Sequence, residues 1–303
     1  RAGWALVHRR GARPGRRAKP NLGPSARLAQ GVMTAGLTQL IAVVGRSPVP
    51  VWPFLQCAAM VGAGAWFWRR SRAPELRRLR APLVAGFVGA GVGARVLTTA
   101  LELPSRVHAG HGLHALTEGG QMAYGALLGL VLVYLLVARR RGFTTGASLD
   151  VLAPTVGILV GLARLGCLFG GCDFGRVTSR FAGVRYPAGS PAFQQHLAAS
   201  LVLASDRTSL AVHPTQLYEA LLGALMAGAA LMAERRARRD GGGFAAASAT
   251  YAAGRFGIEL LRGDDSRGFL WSLSTSQWLS VGVLAAVVAW ALCETQSGVI
   301  ARS

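Results

Sequence analysis

Charged side chains are scarce in this chain of 303 residues: they make up 15% of it, and acidic residues number 13. Soluble domains usually carry about 25% charged residues, so an ordinary soluble domain is excluded. Cysteine is also scarce, and the four cysteines lie mostly in or beside apolar runs, which excludes the disulfide framework of a small secreted protein. What the chain does contain is 51% hydrophobic residues and 33 Lys or Arg, for a net charge of +20. This much apolar sequence also excludes a disordered basic tail.

The arginines fall in short clusters between long apolar runs, which indicates a polytopic membrane protein and no nucleic-acid partner. About 20 apolar residues in a helix cross the ~30 Å core of a bilayer. Seven segments meet this length and are predicted to span: Val51–Trp68, Ala81–Leu103, Gln121–Ala138, Leu149–Gly170, Pro214–Ala233, Gly243–Leu261 and Ser276–Cys293. Glycines four residues apart recur in them, as in Gly89/Gly93, Gly125/Gly129 and Gly157/Gly161, and predict close approach of helix backbones. The predicted fold is an all-α polytopic membrane protein with about seven transmembrane helices.

Arginine clusters follow the first, third and fifth segments, and the positive-inside rule places these ends in the cytoplasm. This predicts an outward N-terminus, a cytoplasmic C-terminus and an outward-facing loop region at about residues 173–213. The predicted organisation is a basic extension over residues 1–45, a seven-helix transmembrane domain over 46–296 and a cytoplasmic tail over 297–303. Residues 1–32 are predicted to lie upstream of the true start, because their arginines would resist translocation. A transit or signal segment is the alternative, although Gln39–Val44 is too short for a good signal core.

Three arginines lie inside predicted spans: Arg95, Arg164 and Arg255. An arginine at the centre of a membrane helix costs about 2.5–3.5 kcal/mol on insertion scales, so it usually faces a cavity or a partner. Pairing is one explanation, since Arg255 and Glu259 are four residues apart on one predicted helix. Glu219 and Glu259 are the only carboxylates expected at the same depth in the membrane as these three arginines. We therefore predict an excess of arginine, which an anionic lipid head group would neutralise.

The densest polar run is Arg164-Leu-Gly-Cys-Leu-Phe-Gly-Gly-Cys-Asp-Phe-Gly-Arg176. Its glycines predict a broken helix end whose backbone amides, together with Arg164 and Arg176, form an anion site. A flexible helix end is the alternative. The pair Cys167 and Cys172 provides too few ligands for a zinc site without partners. Small buried residues are the preferred interpretation of this pair, and a redox or metal-binding dithiol is the alternative.

A second polar run, His213-Pro-Thr-Gln-Leu-Tyr-Glu219, opens the fifth predicted span and places several polar side chains at the membrane entrance. Helix capping or core hydrogen bonding explains any one of them, but their clustering favours a site. Upstream, His108, His111 and His114 are three residues apart and would share one face of a helix, where they could bind a metal. A solvated loop is the preferred interpretation of these histidines.

These runs resemble the prolipoprotein diacylglyceryl transferase family. His213-Pro-Thr-Gln-Leu-Tyr-Glu219 is close to the family's HPSQLYE, and the run from Arg164 to Arg176 is similar to its R-x-G-N-F-x-N-x-E-x-x-G-R. Tyr251, Arg255, Glu259, Arg262 and Asp264 follow its Y-x-x-x-R-x-x-x-E-x-x-R-x-x-D, and Gly93-Ala-Arg95 and Leu273-Ser-Thr-Ser-Gln277 resemble two shorter motifs. The resemblance covers roughly residues 50–293.

The resemblance implies a multi-pass enzyme of the bacterial inner membrane that needs no metal or nucleotide cofactor. Its reaction would move the diacylglyceryl group of phosphatidylglycerol to the lipobox cysteine thiol of a prolipoprotein. A thioether would form and glycerol phosphate would leave. The residues implied as catalytic are Arg164, Arg255, Tyr124 and His213. Those implied as substrate-binding are Arg164, Gly175, Arg95, Tyr251, Cys167, Gln216, Glu219 and Glu259.

The chain departs from the family pattern where protons would be handled. Tyr124 stands at the position of a family histidine, Cys167 at that of an asparagine and Cys172 at that of a glutamate. A phenol with a pKa near 10 is a poor base at neutral pH, so a nearby arginine that lowers the pKa of the incoming thiol, or His213, is the candidate substitute. Two alternatives stay open: a divergent relative acting on another lipid or acceptor, and a non-catalytic membrane lipid-binding or transport protein.

Overall fold

A computed structural model describes residues 37–41, 51–108, 123–179, 183–236, 240–263 and 269–300. The long helices in these ranges are α1 (Val51–Arg70), α3 (Arg80–His108), α4 (Ala123–Arg140), α5 (Thr145–Gly170), α7 (Thr215–Glu234), α8 (Gly242–Glu259) and α9 (Thr275–Ile300). Two short helices, α2 (Pro74–Arg77) and α6 (Pro191–Ala198), and an antiparallel hairpin of β1 (Phe269–Leu270) and β2 (Leu273–Ser274) complete these elements.

A long helix occupies each of the seven segments that the sequence predicts to span the membrane. Within the described residues, four helical stretches are long and apolar enough to cross a bilayer: Pro74–Ala100, Thr145–Gly170, Thr215–Glu234 and Thr275–Cys293. The chain is therefore a mostly helical, polytopic membrane protein, as predicted. The predicted basic extension lies outside the described residues except for the short helical segment 37–41, and His111 and His114 lie outside them too.

Helices α3 and α4 pack along their length through glycine. A Cβ atom at Gly93 would collide with the carbonyl oxygen of Gly125, and one at Gly129 would collide with the carbonyl oxygen of Gly89. The predicted close approach at these pairs is confirmed, because residues with a side chain would force the two backbones apart.

Helix α5 meets α7 in the same way. A Cβ atom at Gly157 would lie 2.7 Å from the carbonyl oxygen of Gly223. Helix α8 packs on both α5 and α7, α1 packs on α5, and α9 packs on α8. At one end of this group, the C-terminal ends of α5 and α8 are brought beside the N-terminal end of α7.

At the opposite end, Asp150 joins α5 to α8. Its Oδ2 accepts a hydrogen bond of 2.6 Å from the backbone N–H of Gly241, and its Oδ1 accepts one of 2.8 Å from that of Phe244. Gly241 turns the chain into α8 at φ 102°, a conformation that glycine adopts without strain. The carboxylate thus satisfies amides at a helix N-terminus, where a negative charge is favoured.

The predicted outward loop region is an ordered cap, which consists of residues 173–179 and 183–213. Val184 and Val212 exchange two backbone hydrogen bonds of 2.9 Å, and the Tyr186 side chain is fully buried beneath them. The N–H of Gly175 donates to the carbonyl oxygen of His213, and that of Arg176 donates to the carbonyl oxygen of Leu261. The cap therefore ties together the ends of α5, α7 and α8.

The glycine contacts lead to a stability prediction. We expect Gly129→Ala to lower the apparent melting temperature in detergent, because the new methyl group meets the α3 backbone, and overpacking of this kind costs about 1–3 kcal/mol. Gly91→Ala is the matched control on α3, since a Cβ atom there meets nothing within 4 Å. Equal melting temperatures for the two variants would contradict the close crossing.

Candidate active site

The C-terminal end of α5 is a regular, capped helix end. Gly171 follows it in the left-handed region at φ 69°, and its N–H donates to the carbonyl oxygen of Cys167. The helix continues through Gly166 and ends at Gly170, so the predicted helix end is found at Gly170 and Gly171, and the prediction that Gly166 breaks the helix is wrong. The amides of Gly171, Gly175 and Arg176 all donate to backbone carbonyls. These three amides therefore do not form the predicted anion site.

Six charged side chains among the described residues meet beside this helix end. This charge cluster consists of Arg164, Arg255, Arg262, Asp173, Glu219 and Glu259. Its members come from α5, α7, α8 and the short segments that follow α5 and α8. Three guanidinium groups thus face three carboxylates, and the cluster as a whole is neutral.

Glu219 is the centre of the charge cluster. Its side chain is 1% exposed, and its Oε2 lies 2.5 Å from Nε of Arg164. Its Oε1 lies 3.7 Å from Nη1 of Arg255 and 3.8 Å from Nη1 of Arg262. Arg255 also pairs with Glu259 at 2.6 Å, one helical turn away, which confirms the predicted pairing on one helix face. One buried carboxylate therefore connects three helix ends.

Asp173 and Arg262 are the two members of the charge cluster that were not predicted as site residues from the sequence. The two carboxylate oxygens of Asp173 each lie 2.7 Å from a guanidinium nitrogen, one of Arg164 and one of Arg262. Because Asp173 adds a third carboxylate, the predicted excess of arginine is not found among the described members of the cluster. Asp173 follows Cys172 directly in the polar run, and Arg262 lies three residues after Glu259, so their positions beside predicted residues were the available signals.

Side chains at the start of α7 form hydrogen bonds with the backbone that follows α5. The Thr215 hydroxyl donates to the carbonyl oxygen of Asp173 at 2.6 Å, and the Gln216 amide donates to that of Cys172 at 2.5 Å. Both side chains are fully buried. Nδ1 of His213 and the Tyr218 hydroxyl share a hydrogen bond of 3.2 Å. The structure therefore gives Gln216, predicted to bind substrate, a buried contact that fixes the position of Cys172.

Gly175, also predicted to bind substrate, lies where two chain segments cross. A Cβ atom there would be 2.5 Å from Cβ of His213 and 2.9 Å from the carbonyl oxygen of Leu261. Packing of the cap against α7 and α8 therefore accounts for a glycine at this position.

Cys167 and Cys172 come together at the end of α5. Their Sγ atoms and a carboxylate oxygen of Asp173 all lie within 4.8 Å of one another, and the two thiols are not joined in a disulfide. Two effects raise the pKa of the Cys172 thiol well above its usual range. The larger is its hydrogen bond with Cys167, and the second is its burial. In this state Cys172 is a neutral thiol at physiological pH.

The remaining predicted residues lie around this site or apart from it. Tyr251 on α8 is partly buried and close enough to Arg164 for electrostatic interaction. Arg95 is partly buried on α3, a helix that packs chiefly on α4. Tyr124 is in the first turn of α4 and His108 ends α3, and the side chains of both lie outside the described residues.

Comparison with known proteins gives one consistent family. The family model described as prolipoprotein diacylglyceryl transferase matches residues 39–293. Three relatives are each named phosphatidylglycerol–prolipoprotein diacylglyceryl transferase. The Clostridium tetani protein is 29% identical over 65% of this chain and 73% of its own length, and the Vibrio vulnificus protein is 30% identical over 74% and 76%. The Geobacter sulfurreducens protein is 33% identical over 51% of this chain and 53% of its own length.

Proposed function

The chain belongs to the prolipoprotein diacylglyceryl transferase family, and from this premise we propose that it transfers a diacylglyceryl group from phosphatidylglycerol to the lipobox cysteine thiol of a prolipoprotein. The sulfur forms a bond to the terminal glyceryl carbon, the bond from that carbon to the phosphate oxygen breaks, and glycerol phosphate leaves. The observation that carries the proposal is the buried charge cluster, which lies within the matched residues.

The proposal places the enzyme in the inner membrane of a bacterium, with α1, α3, α4, α5, α7, α8 and α9 as its seven spans. Arginines follow α1, α4 and α7, and by the positive-inside rule these ends face the cytoplasm. The cap, the charge cluster and the N-terminus then face outward, and the C-terminus is cytoplasmic. Prolipoproteins would meet the charge cluster on this outward side.

Arg164 is the arginine that we assign to the lipid phosphate. Its side chain is 17% exposed, compared with 7% for Arg255 and 6% for Arg262, so it is the most accessible of the three. Glu219 and Asp173 pair with its Nε and Nη1 atoms. A guanidinium group has five N–H donors, which leaves Nη2 to bind the phosphate.

Arg255 is the residue that we assign to positioning. It donates a hydrogen bond of 3.1 Å to the Ser276 hydroxyl on α9 and pairs with Glu259. Through its longer contact with Glu219 it orients the carboxylate that holds Arg164. Negative charge grows on the leaving phosphate during the reaction, and a fixed guanidinium in a site with little water stabilises that charge.

Tyr251 and Glu219 complete the assigned phosphate site, and Gly175 and Gln216 are assigned to its surroundings. Arg95 on α3 stays a predicted substrate contact. Tyr124 and His213 remain the candidates for handling the thiol proton. The His213 ring already shares a hydrogen bond with Tyr218. This contact favours an orienting role for His213 over that of a free base.

A direct assay tests the proposal. The purified full chain in bilayers of phosphatidylglycerol should convert a lipobox peptide to its diacylglyceryl thioether, detected by mass spectrometry. In bilayers of phosphatidylethanolamine alone the product should be absent. Binding of phosphatidylglycerol without any product would favour a non-catalytic lipid-binding protein, and product from the zwitterionic lipid would indicate a relative with another donor.

A further inference from the structure

Two thiols and a carboxylate converge at the outward end of α5, and the mechanism proposed above does not use the thiols. The ligand atoms of Cys167, Cys172 and Asp173 all lie within 4.8 Å of one another. Thiolate sulfur and carboxylate oxygen are both zinc ligands. The isolated pair of cysteines in the sequence has too few ligands for a zinc site, and the fold supplies Asp173 as the third.

The spacing of these atoms suits a tetrahedral ion. Zinc bonds of about 2.3 Å to sulfur and 2.0–2.2 Å to oxygen place two tetrahedral ligands about 3.5–3.8 Å apart. The three atoms, now within 4.8 Å of one another, therefore need to close by at most about 1.3 Å. A change of rotamer moves a cysteine sulfur by more than this distance.

The backbone that carries the ligands is held from several sides. The left-handed turn at Gly171 returns the chain over Cys167. Gln216 then donates to the carbonyl oxygen of Cys172, and Thr215 donates to that of Asp173. Asp173 itself adopts a positive φ of 56°, which is uncommon for a residue with a side chain and persists only where the surroundings enforce it. Preorganised ligands of this kind favour metal binding.

The two guanidinium groups that pair with Asp173 do not prevent its carboxylate from binding an ion. Each carboxylate oxygen has two lone pairs, so it can bind an ion while it accepts a hydrogen bond from Arg164 or Arg262. Metal binding also releases the two thiol protons. The two positive charges gained and the two protons lost cancel, and the charge cluster stays neutral.

Access is from the outward side. Cys172 and Asp173 are both partly exposed, and the Asp173 side chain is 30% exposed. Three protein ligands leave the fourth position of a tetrahedral ion open, as in catalytic zinc sites. Arg164, which the proposed function assigns to the lipid phosphate, pairs with Asp173, one of the three ligands.

We propose that Cys167, Cys172 and Asp173 hold a zinc ion whose open position takes the acceptor thiol of the lipobox. This inference rests on the proposed function. On coordination the acceptor thiol releases its proton to solvent, and the resulting thiolate attacks the terminal glyceryl carbon. The electron pair of the broken carbon–oxygen bond leaves with the phosphate oxygen, so the products are a thioether, glycerol phosphate and one proton. The ion takes the role of a base where Tyr124 replaces the family histidine. In this respect the chain departs from the metal-free chemistry that the resemblance implies.

Metal content tests the site without reference to activity. We expect about one zinc ion per chain in protein purified without chelator, and a sulfur-to-cobalt charge-transfer absorption after exchange with Co²⁺. Cys167→Ser and Cys172→Ser should each abolish that absorption. Cys57→Ser and Cys293→Ser are the matched controls and should keep it, because both cysteines are exposed elsewhere on the molecule. Wild-type protein without zinc that gives no cobalt absorption, or one in which Cys167 and Cys172 form a disulfide, would overturn the proposal.

Kinetics test the role of the ion. Removal of zinc should lower the transfer rate at pH 7 by up to about 30-fold, because a thiol with a pKa near 8.5 is only about 3% thiolate at that pH. The rate of the metal-free enzyme should then rise with pH toward 8.5, whereas that of the zinc enzyme should stay level. A rate unaffected by removal of zinc would refute the role of the ion. A zinc site without any thioether product would instead refute the proposed function.

Discussion

Replacing Arg164 by alanine should lower diacylglyceryl transfer by about 10²–10³-fold, the usual loss when one preorganised donor to a developing negative charge is removed. Arg164 is the most exposed guanidinium of the charge cluster and is fixed by Glu219 and Asp173, so it is aimed before substrate arrives. The measurement is the rate of thioether formation from phosphatidylglycerol and a lipobox peptide. Arg207→Ala, an exposed arginine of the cap, is the control and should keep the normal rate.

Loss of folding is the competing explanation for an inactive Arg164→Ala variant, because Glu219 and Asp173 would each lose a cation. The double variant Arg164→Gln with Glu219→Gln separates the two explanations, since it removes one charge of each sign and keeps the charge cluster neutral. We expect this double variant to be present in the membrane and still inactive. A double variant that transfers at the normal rate would contradict the assignment of the phosphate to Arg164.

Replacing Glu219 by alanine should destabilise the protein by about 3–5 kcal/mol, the usual cost of removing one partner from a buried ion pair. The variant would leave three guanidinium groups against two carboxylates at a point where Glu219 is 1% exposed. Denaturant unfolding in detergent measures the loss.

Glu234→Ala is the matched control for Glu219→Ala, because Glu234 is more exposed and, in the part of the chain that the structure describes, forms one ion pair, with Arg70. A partly exposed pair of this kind contributes roughly 1 kcal/mol or less. Equal destabilisation by the two substitutions would show that the charge cluster does not hold the helix ends together.

The helices could be predicted from the sequence because their signals are local. Long apolar runs mark all of the long helices, and glycines such as Gly93 and Gly129 mark where two of them touch. Arg255 and Glu259 could be paired in advance because one helical turn separates them. Each of these inferences needs only a segment of chain and its periodicity.

The charge balance of the site could not be predicted in this way. Asp173 reaches Arg262 only because the cap returns the chain to the end of α8. The cap depends on pairings between distant residues, such as Val184 with Val212, and no periodicity in the sequence indicates them. The amide of Gly175 is an example for the same reason. The sequence predicted that it would bind an anion, but in the folded chain it donates to the carbonyl oxygen of His213.

Asp150 has a consequence for how a lipid reaches the site. Because it joins α5 to α8 at one end and the cap joins them at the other, these two helices cannot separate without breaking the hydrogen bonds at both ends. Helix α4 contacts α5 much less extensively and is pinned to it near Asp150, where the Tyr134 hydroxyl donates to the carbonyl oxygen of Ser148. A lipid that enters between helices would therefore separate α4 from α5 more readily than α5 from α8.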